Sequence, residues 1–234
     1  MESTCGFRPP EGDLTKARSG NGQVNAPWAV SIGKNIGKKF EHHCTGSIIS
    51  NGIVLSAAHC FTSHFFDRDT FEVHAGVENL ESTSVVTRKI RKVVLHPEWQ
   101  SSGEHHLYFD IAVIFLKEFF TFSPRIQAIC LPSEDHASLP ENMLNFGITT
   151  VGWGRDDNDT IGEHLTQIDV VIRSNAECNF KYSQLGRLDQ LRLATQLPNN
   201  LVSSQYCADN NVNENIVTCH GDSGGPSFVR CLLN

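Results

Sequence analysis

The stretch Gly46-Ser47-Ile48-Ile49-Ser50-Asn51-Gly52-Ile53-Val54-Leu55-Ser56-Ala57-Ala58-His59-Cys60 decides how the rest of the chain is read. Two short apolar runs, Ser47-Ile48-Ile49 and Ile53-Val54-Leu55, flank Asn51-Gly52. That pair tolerates the positive φ of a tight turn, so residues 46–58 are expected to form a β-hairpin. His59 then stands just past a strand, where the chain leaves the sheet.

Working outward, residues 71–76, 89–95, 111–116, 148–153 and 165–172 are short, rich in β-branched side chains and bounded by turn residues, which makes each a candidate strand. Their spacing favours a barrel or a sandwich over alternating strand and helix units, so the fold class is all-β. One helix start is readable at Ser174-Asn175-Ala176-Glu177, where a serine and a glutamate three positions later can cap each other's amides. Leu185, Leu188 and Leu191 continue a helical stripe, read as a packing face. Residues 119–128 lack alternation and are read as a link between two halves.

A chain of 234 residues can hold one large all-β domain or two small ones. A formal charge of -7 without a cluster of Lys and Arg argues against a nucleic-acid partner, whose phosphates demand a basic face. No apolar run approaches the length that crosses a bilayer, and Met1-Glu2-Ser3-Thr4-Cys5 shows neither the basic start nor the apolar stretch of a signal peptide. Yet eight cysteines, mostly far apart, resemble a disulfide framework more than a metal site or redox motif. The preferred reading is a secreted protein with an incomplete N-terminus, and a reduced cytosolic protein is the weaker one. Asn158-Asp159-Thr160 fits a glycosylation acceptor. His42-His43 and His105-His106 are read as solvated loops, since adjacent rings do not share a face, and neither metal nor cofactor is expected. Cys231-Leu232-Leu233-Asn234 matches a prenylation box only formally.

Three stretches carry chemistry together: Leu55-Ser56-Ala57-Ala58-His59-Cys60, Asp110-Ile111-Ala112-Val113 and Gly221-Asp222-Ser223-Gly224-Gly225-Pro226, the last preceded by Cys219. In this order and with these neighbours they resemble the trypsin and chymotrypsin family of serine endopeptidases. Further matches run from Pro27-Trp28 to Pro226, among them Cys44-Thr45-Gly46-Ser47, His96-Pro97, Ile129-Cys130-Leu131-Pro132, Gly152-Trp153-Gly154 and Tyr206-Cys207-Ala208.

The resemblance implies two antiparallel Greek-key barrels with a cleft between them: a propeptide-like extension over 1–18, a first barrel over 19–125 and a second over 126–234. It implies a catalytic triad of His59, Asp110 and Ser223, and an oxyanion hole made by the backbone amides of Gly221 and Ser223. It implies protein or peptide substrates, protein inhibitors as partners, an extracellular location and activation by cleavage. The disulfides it implies are Cys44 with Cys60, Cys178 with Cys207, and Cys5 with Cys130. The first closes a loop of about fifteen residues, worth roughly 3 kcal/mol, and tethers the turn that carries His59.

Several positions depart from the family pattern. In the family a newly cut apolar N-terminus pairs with the aspartate before the nucleophile, here Asp222, because a buried carboxylate is costly without a partner. The corresponding junction reads Lys16-Ala17-Arg18-Ser19-Gly20, which offers a basic cleavage site but no apolar pair after it. The position six before the nucleophile, an aspartate in trypsin-like pockets, is Val217, so the expected preference is for neutral or apolar side chains. Relatives continue past the position of Asn234 with two strands and a helix, so an incomplete second barrel is expected, with Cys219 and Cys231 as candidate free thiols or partners of each other. Two readings of function follow: a serine endopeptidase, or a protease homologue without catalysis that acts by binding.

Overall fold

The computed structural model describes residues 5–6, 26–37, 39–62, 66–82, 84–99, 107–132, 144–155, 162–209 and 220–228. Val217, Cys219, Cys231, His105-His106, Asn158-Asp159-Thr160, the Arg18-Ser19 bond and the tail from Cys231 to Asn234 lie outside them.

Six strands come first in the chain: β1 (Ala29–Ile36), β2 (Lys39–Ser50), β3 (Ile53–Ser56), β4 (Phe71–Ala75), β5 (Val86–Leu95) and β6 (Ala112–Leu116). They close into an antiparallel barrel in the order β1-β2-β3-β6-β5-β4. Alternation explains the closure, since in β6 Ala112, Ile114 and Leu116 turn inward while Val113 and Phe115 stay half-buried. Val30, Ile32, Ile48, Val54, Val73, Ile90 and Ile114 are fully enclosed. Each such side chain contributes about 2 kcal/mol of burial.

The second half holds β7 (Gly147–Gly152), β8 (Thr166–Arg173), β9 (Cys207–Asp209) and β10 (Ser227–Phe228). Among the described residues they form a four-stranded antiparallel sheet in the order β10-β7-β8-β9. The two halves lock together through the Trp28 and Phe228 rings, edge to face at 5.0 Å. Backbone bonds from Leu80 to Glu163 and from Leu165 to Glu78 add to this. The expected all-β class with a closed first barrel and a partly formed second one is therefore the architecture observed.

The hairpin over 46–58 forms from β2 and β3, but not by the expected turn. Neither Asn51 nor Gly52 has a positive φ. Gly52 is needed for space instead, because a Cβ there would lie 2.6 Å from the Phe119 ring. β1 was not among the expected strands. Its pairing with β2 shifts register between Ile32 and Gly33, where β2 carries one extra residue, His43, and the absence of a side chain at Gly33 lets the Glu41 carbonyl come close.

The serine half of the capping expectation holds: α1 (Asn175–Ser183) starts at Ser174, whose Oγ accepts from the Glu177 amide at 3.1 Å, while the Glu177 carboxylate lies 3.5 Å from Lys181 Nζ. The leucine stripe does not continue that helix. The chain breaks and restarts as α2 (Arg187–Gln196), and Leu188 is 82% and Leu191 58% exposed, so the expected packing face is a surface. His42 and His43 also differ from expectation, since both lie in β2, His42 buried and His43 half-buried. Their rings find separate partners, the Gly221 carbonyl for His42 and the Cys60 carbonyl for His43.

Candidate active site

Strand register brings His59 and Asp110 together. β3 and β6 are neighbours with Ser56 opposite Ala112. The residue three past the end of β3 and the residue two before β6 therefore emerge at the same end of the barrel. His59 lies in a 3-10 turn, Ala58–Phe61, stapled to β2 by the Cys44–Cys60 disulfide. Both oxygens of Asp110 grip it: Oδ1 accepts from the His59 amide at 2.8 Å, and Oδ2 lies 2.6 Å from Nδ1. A carboxylate only accepts, so Nδ1 carries a hydrogen, and in the neutral ring Nε2 is the nitrogen that holds the lone pair. The His59 ring is 43% exposed and the Asp110 side chain 18%, so the pair opens onto solvent on the His59 side.

The loop over 221–226 is held by other means. Gly221 and Gly224 have φ of 103° and 78°, which L side chains avoid. A Cβ on Gly224 would collide with Ser56 Oγ and lie 2.6 Å from the Thr45 carbonyl and 2.7 Å from the Ala57 amide. The Thr45 amide donates to the Ser223 carbonyl at 2.9 Å. These contacts seat Ser223 beside the strand ends that lead to His59. Among the described residues no hydrogen bond joins Ser223 Oγ to His59, a contact that in such sites often forms only with substrate in place. The Gly221 and Ser223 amides donate to no acceptor among the described residues.

His42 is the residue that sequence reasoning missed. Its Nε2–H donates to the Gly221 carbonyl at 2.9 Å, and Thr45 Oγ1 donates to the same oxygen at 2.8 Å. Ser31 Oγ lies 2.7 Å from Nδ1 and, with the hydrogen on Nε2, must be the donor. Burial pushes the His42 pKa down to about 4, so the ring stays neutral. The sequence offered no signal beyond a histidine two positions before Cys44.

Asp222 lies against residues 152–154. Its Oδ1 accepts from the Gly154 amide at 2.7 Å, and a side chain at either Gly152 or Gly154 would collide with its carboxylate. The two glycines of Gly152-Trp153-Gly154 thus make room for it.

The structure also joins Cys178 to Cys207 and Cys5 to Cys130. The sulfurs of Cys44 and Cys60 approach the His59 ring, but bonded to each other they are not thiolate ligands for a metal. Among the described residues no helix is long and apolar enough to cross a membrane.

Comparisons with known proteins place the chain and its fold. The Trypsin family model matches residues 16–231. The β subunit of clotting factor G from Tachypleus tridentatus is 28% identical over 98% of this chain and 70% of its own length. Ovochymase from Halocynthia roretzi is 29% identical over 99% of this chain but 14% of its own. Serine protease snk from Drosophila melanogaster is 32% identical over 81% of this chain and 39% of its own. The chain thus spans less than two thirds of the length of the last two. Neuropsin, a serine protease expressed in the limbic system of mouse brain, has the same fold, with a TM-score of 0.66 at 22% identity over 86% of this chain and 77% of that one. The chain belongs to the trypsin family of serine proteases.

Proposed function

We propose that this chain cleaves peptide bonds in proteins or peptides, with Ser223 as nucleophile, His59 as general base and then acid, and Asp110 as the group that orients His59. The observation that carries this reading is the two-point grip of one Asp110 carboxylate on the amide and ring of His59. It fixes the Nδ1–H tautomer and leaves Nε2 free to take a proton. A serine hydroxyl is a weak nucleophile at neutral pH, so that base is what the attack requires. As Ser223 Oγ bonds to the scissile carbonyl carbon, its proton passes to Nε2. When the C–N bond breaks, the same proton goes to the leaving amine. Water then attacks the acyl-enzyme by the reverse route and frees Ser223. The unspent amides of Gly221 and Ser223 suit the oxyanion that forms in each step, worth roughly 3 kcal/mol per donor.

The finer parts of the reading are the division into halves over 19–125 and 126–234, a preference set by Val217 for neutral or apolar side chains, cleavage after Arg18, pairing of Asp222 with the new N-terminus, secretion, and protein inhibitors that fill the cleft. The three disulfides favour an oxidising compartment. The test is labelling of the purified, Arg18-cleaved chain with a fluorophosphonate, with Ser223→Ala as control. Labelling confined to Ser223 is expected. A folded sample that takes no label would sink the catalytic reading and favour a binding role.

A further inference from the structure

We propose that Tyr108 is a positioning residue that ties Asp110, through the backbone of residues 107–109, to the end of helix α2. The inference rests on the catalytic reading of Asp110 given above.

The segment that delivers Asp110 is not regular structure, and the residue before the aspartate is conformationally unfavourable. Phe109 has φ of 57°, in the left-handed region that an aromatic side chain avoids. Such a conformation persists only where its surroundings impose it. On one side the Phe109 ring stacks on His96 at 4.8 Å, the Ile111 amide donates to the Phe109 carbonyl, and the His96 amide donates to Ile111.

On the other side stands the end of α2 and the loop that follows it. Tyr108 Oη donates to the Asn200 carbonyl at 2.8 Å and accepts from the Asn199 amide at 2.9 Å. The Leu107 amide donates to the Gln196 carbonyl at 2.9 Å, and Gln205 Nε2 donates to the Leu107 carbonyl at 2.9 Å. Four hydrogen bonds thus clasp two consecutive residues to one short loop. The far end of the clasp also carries a left-handed residue, Asn200 with φ of 57°, a conformation that asparagine accepts more readily than most side chains. Phe109, Asn145 and Asn200 are the non-glycine residues with positive φ among the described residues, and two of them flank the Tyr108 hydroxyl contact.

Geometry makes the clasp matter for His59. Asp110 holds its partner through two bonds of 2.8 and 2.6 Å, and a shift of its backbone by an ångström would stretch both. The ring of His59 would then lose the constraint that keeps its hydrogen on Nδ1. The effect of Tyr108 passes through Phe109 and Asp110.

The experiment compares the full chain with Tyr108→Phe, which keeps the ring and removes the hydroxyl, and with Gln205→Leu, which cuts the clasp elsewhere. The readouts are the imidazole nitrogen chemical shifts of His59, which report the fraction of the Nδ1–H tautomer, and the separate kcat and KM on a peptide substrate. Both variants are expected to lower the Nδ1–H fraction and to lower kcat by about tenfold with KM nearly unchanged. Unchanged His59 shifts in two folded variants would overturn the inference. The nitrogen shifts need no turnover, so a wild-type chain that fails to take the fluorophosphonate but loses its Nδ1–H preference in Tyr108→Phe would refute the catalytic reading and keep the clasp.

Discussion

The two arms of the candidate site are placed by different kinds of structure. His59 and Asp110 hang on the ends of β3 and β6, whose register fixes them, and a disulfide pins the turn between. The Ser223 loop has no ladder of its own. It is seated by glycines with positive φ, by the Thr45 amide and by the buried His42 under the Gly221 carbonyl. Regular pairing spreads a constraint over many bonds, whereas the loop concentrates it on single atoms, so single substitutions should hurt the second arm more.

The sharpest way to break that arm is Gly224→Ala. The left-handed backbone costs an added Cβ about 1 to 2 kcal/mol, and the collision with the backbone of Thr45 and Ala57 adds a similar or larger amount. A total loss of about 4 kcal/mol by urea unfolding is expected. For the first arm the comparable cut is Cys44→Ala with Cys60→Ala, expected to cost about 3 kcal/mol, because the bridge constrains the unfolded chain rather than supplying the only hold on His59. His59 should keep its contact with Asp110 in the folded double variant, observable by the His59 nitrogen shifts. Loss of that contact would mean that the staple and not the strand register places the histidine.

The same difference decides what the sequence could reveal. β3 and β6 were readable because short runs of β-branched and apolar residues report a strand directly, even though Asn51-Gly52 does not make the expected turn, and with them came the positions of His59 and Asp110. The serine loop was recognisable only as a motif. Its support was hidden, since a single buried histidine in β2 looks like any other, and nothing in Leu107-Tyr108-Phe109 announces a left-handed backbone. The leucines of α2 misled for a related reason, because periodicity gives a face but not what lies opposite it. The face is exposed.

Acid separates the arms in a second way. Burial holds His42 near pKa 4, while in the unfolded chain it titrates at its ordinary 6.5. Between these values the unfolded state binds the extra proton. The stability that this site contributes is therefore complete above pH 6.5 and falls as pH drops toward 4, by up to about 3 kcal/mol. Burial also lowers His43 and His74, which act in the same direction. At Glu72 burial works to raise the carboxyl, but hydrogen bonds from Lys89 and His74 outweigh it and leave the pKa low. Because burial keeps His74 neutral, Lys89 is the charge that balances Glu72 at neutral pH. That contribution is present above the ordinary carboxylate range and fades only in stronger acid. Urea midpoints measured at pH 7.5, 5.5 and 4 should fall steeply for the wild-type chain and less steeply for His42→Gln. An equal slope in both would show that His42 does not set the acid limit.

The smallest effect belongs to a tight glycine of the first arm. Gly52→Ala also places a Cβ too close to its neighbour, 2.6 Å from Phe119. The two sites nevertheless differ in both respects that made Gly224 costly. Gly52 has no positive φ, and the atom it meets belongs to a side chain that is 68% exposed and can swing away, not to backbone. The cost should stay below about 1 kcal/mol, partly offset by the lower entropy of an unfolded chain with alanine in place of glycine. A loss as large as that of Gly224→Ala would mean that the Phe119 ring is fixed. The hairpin carrying His59 would then depend on a single packing contact much as the serine loop does, and the contrast between the two arms would disappear.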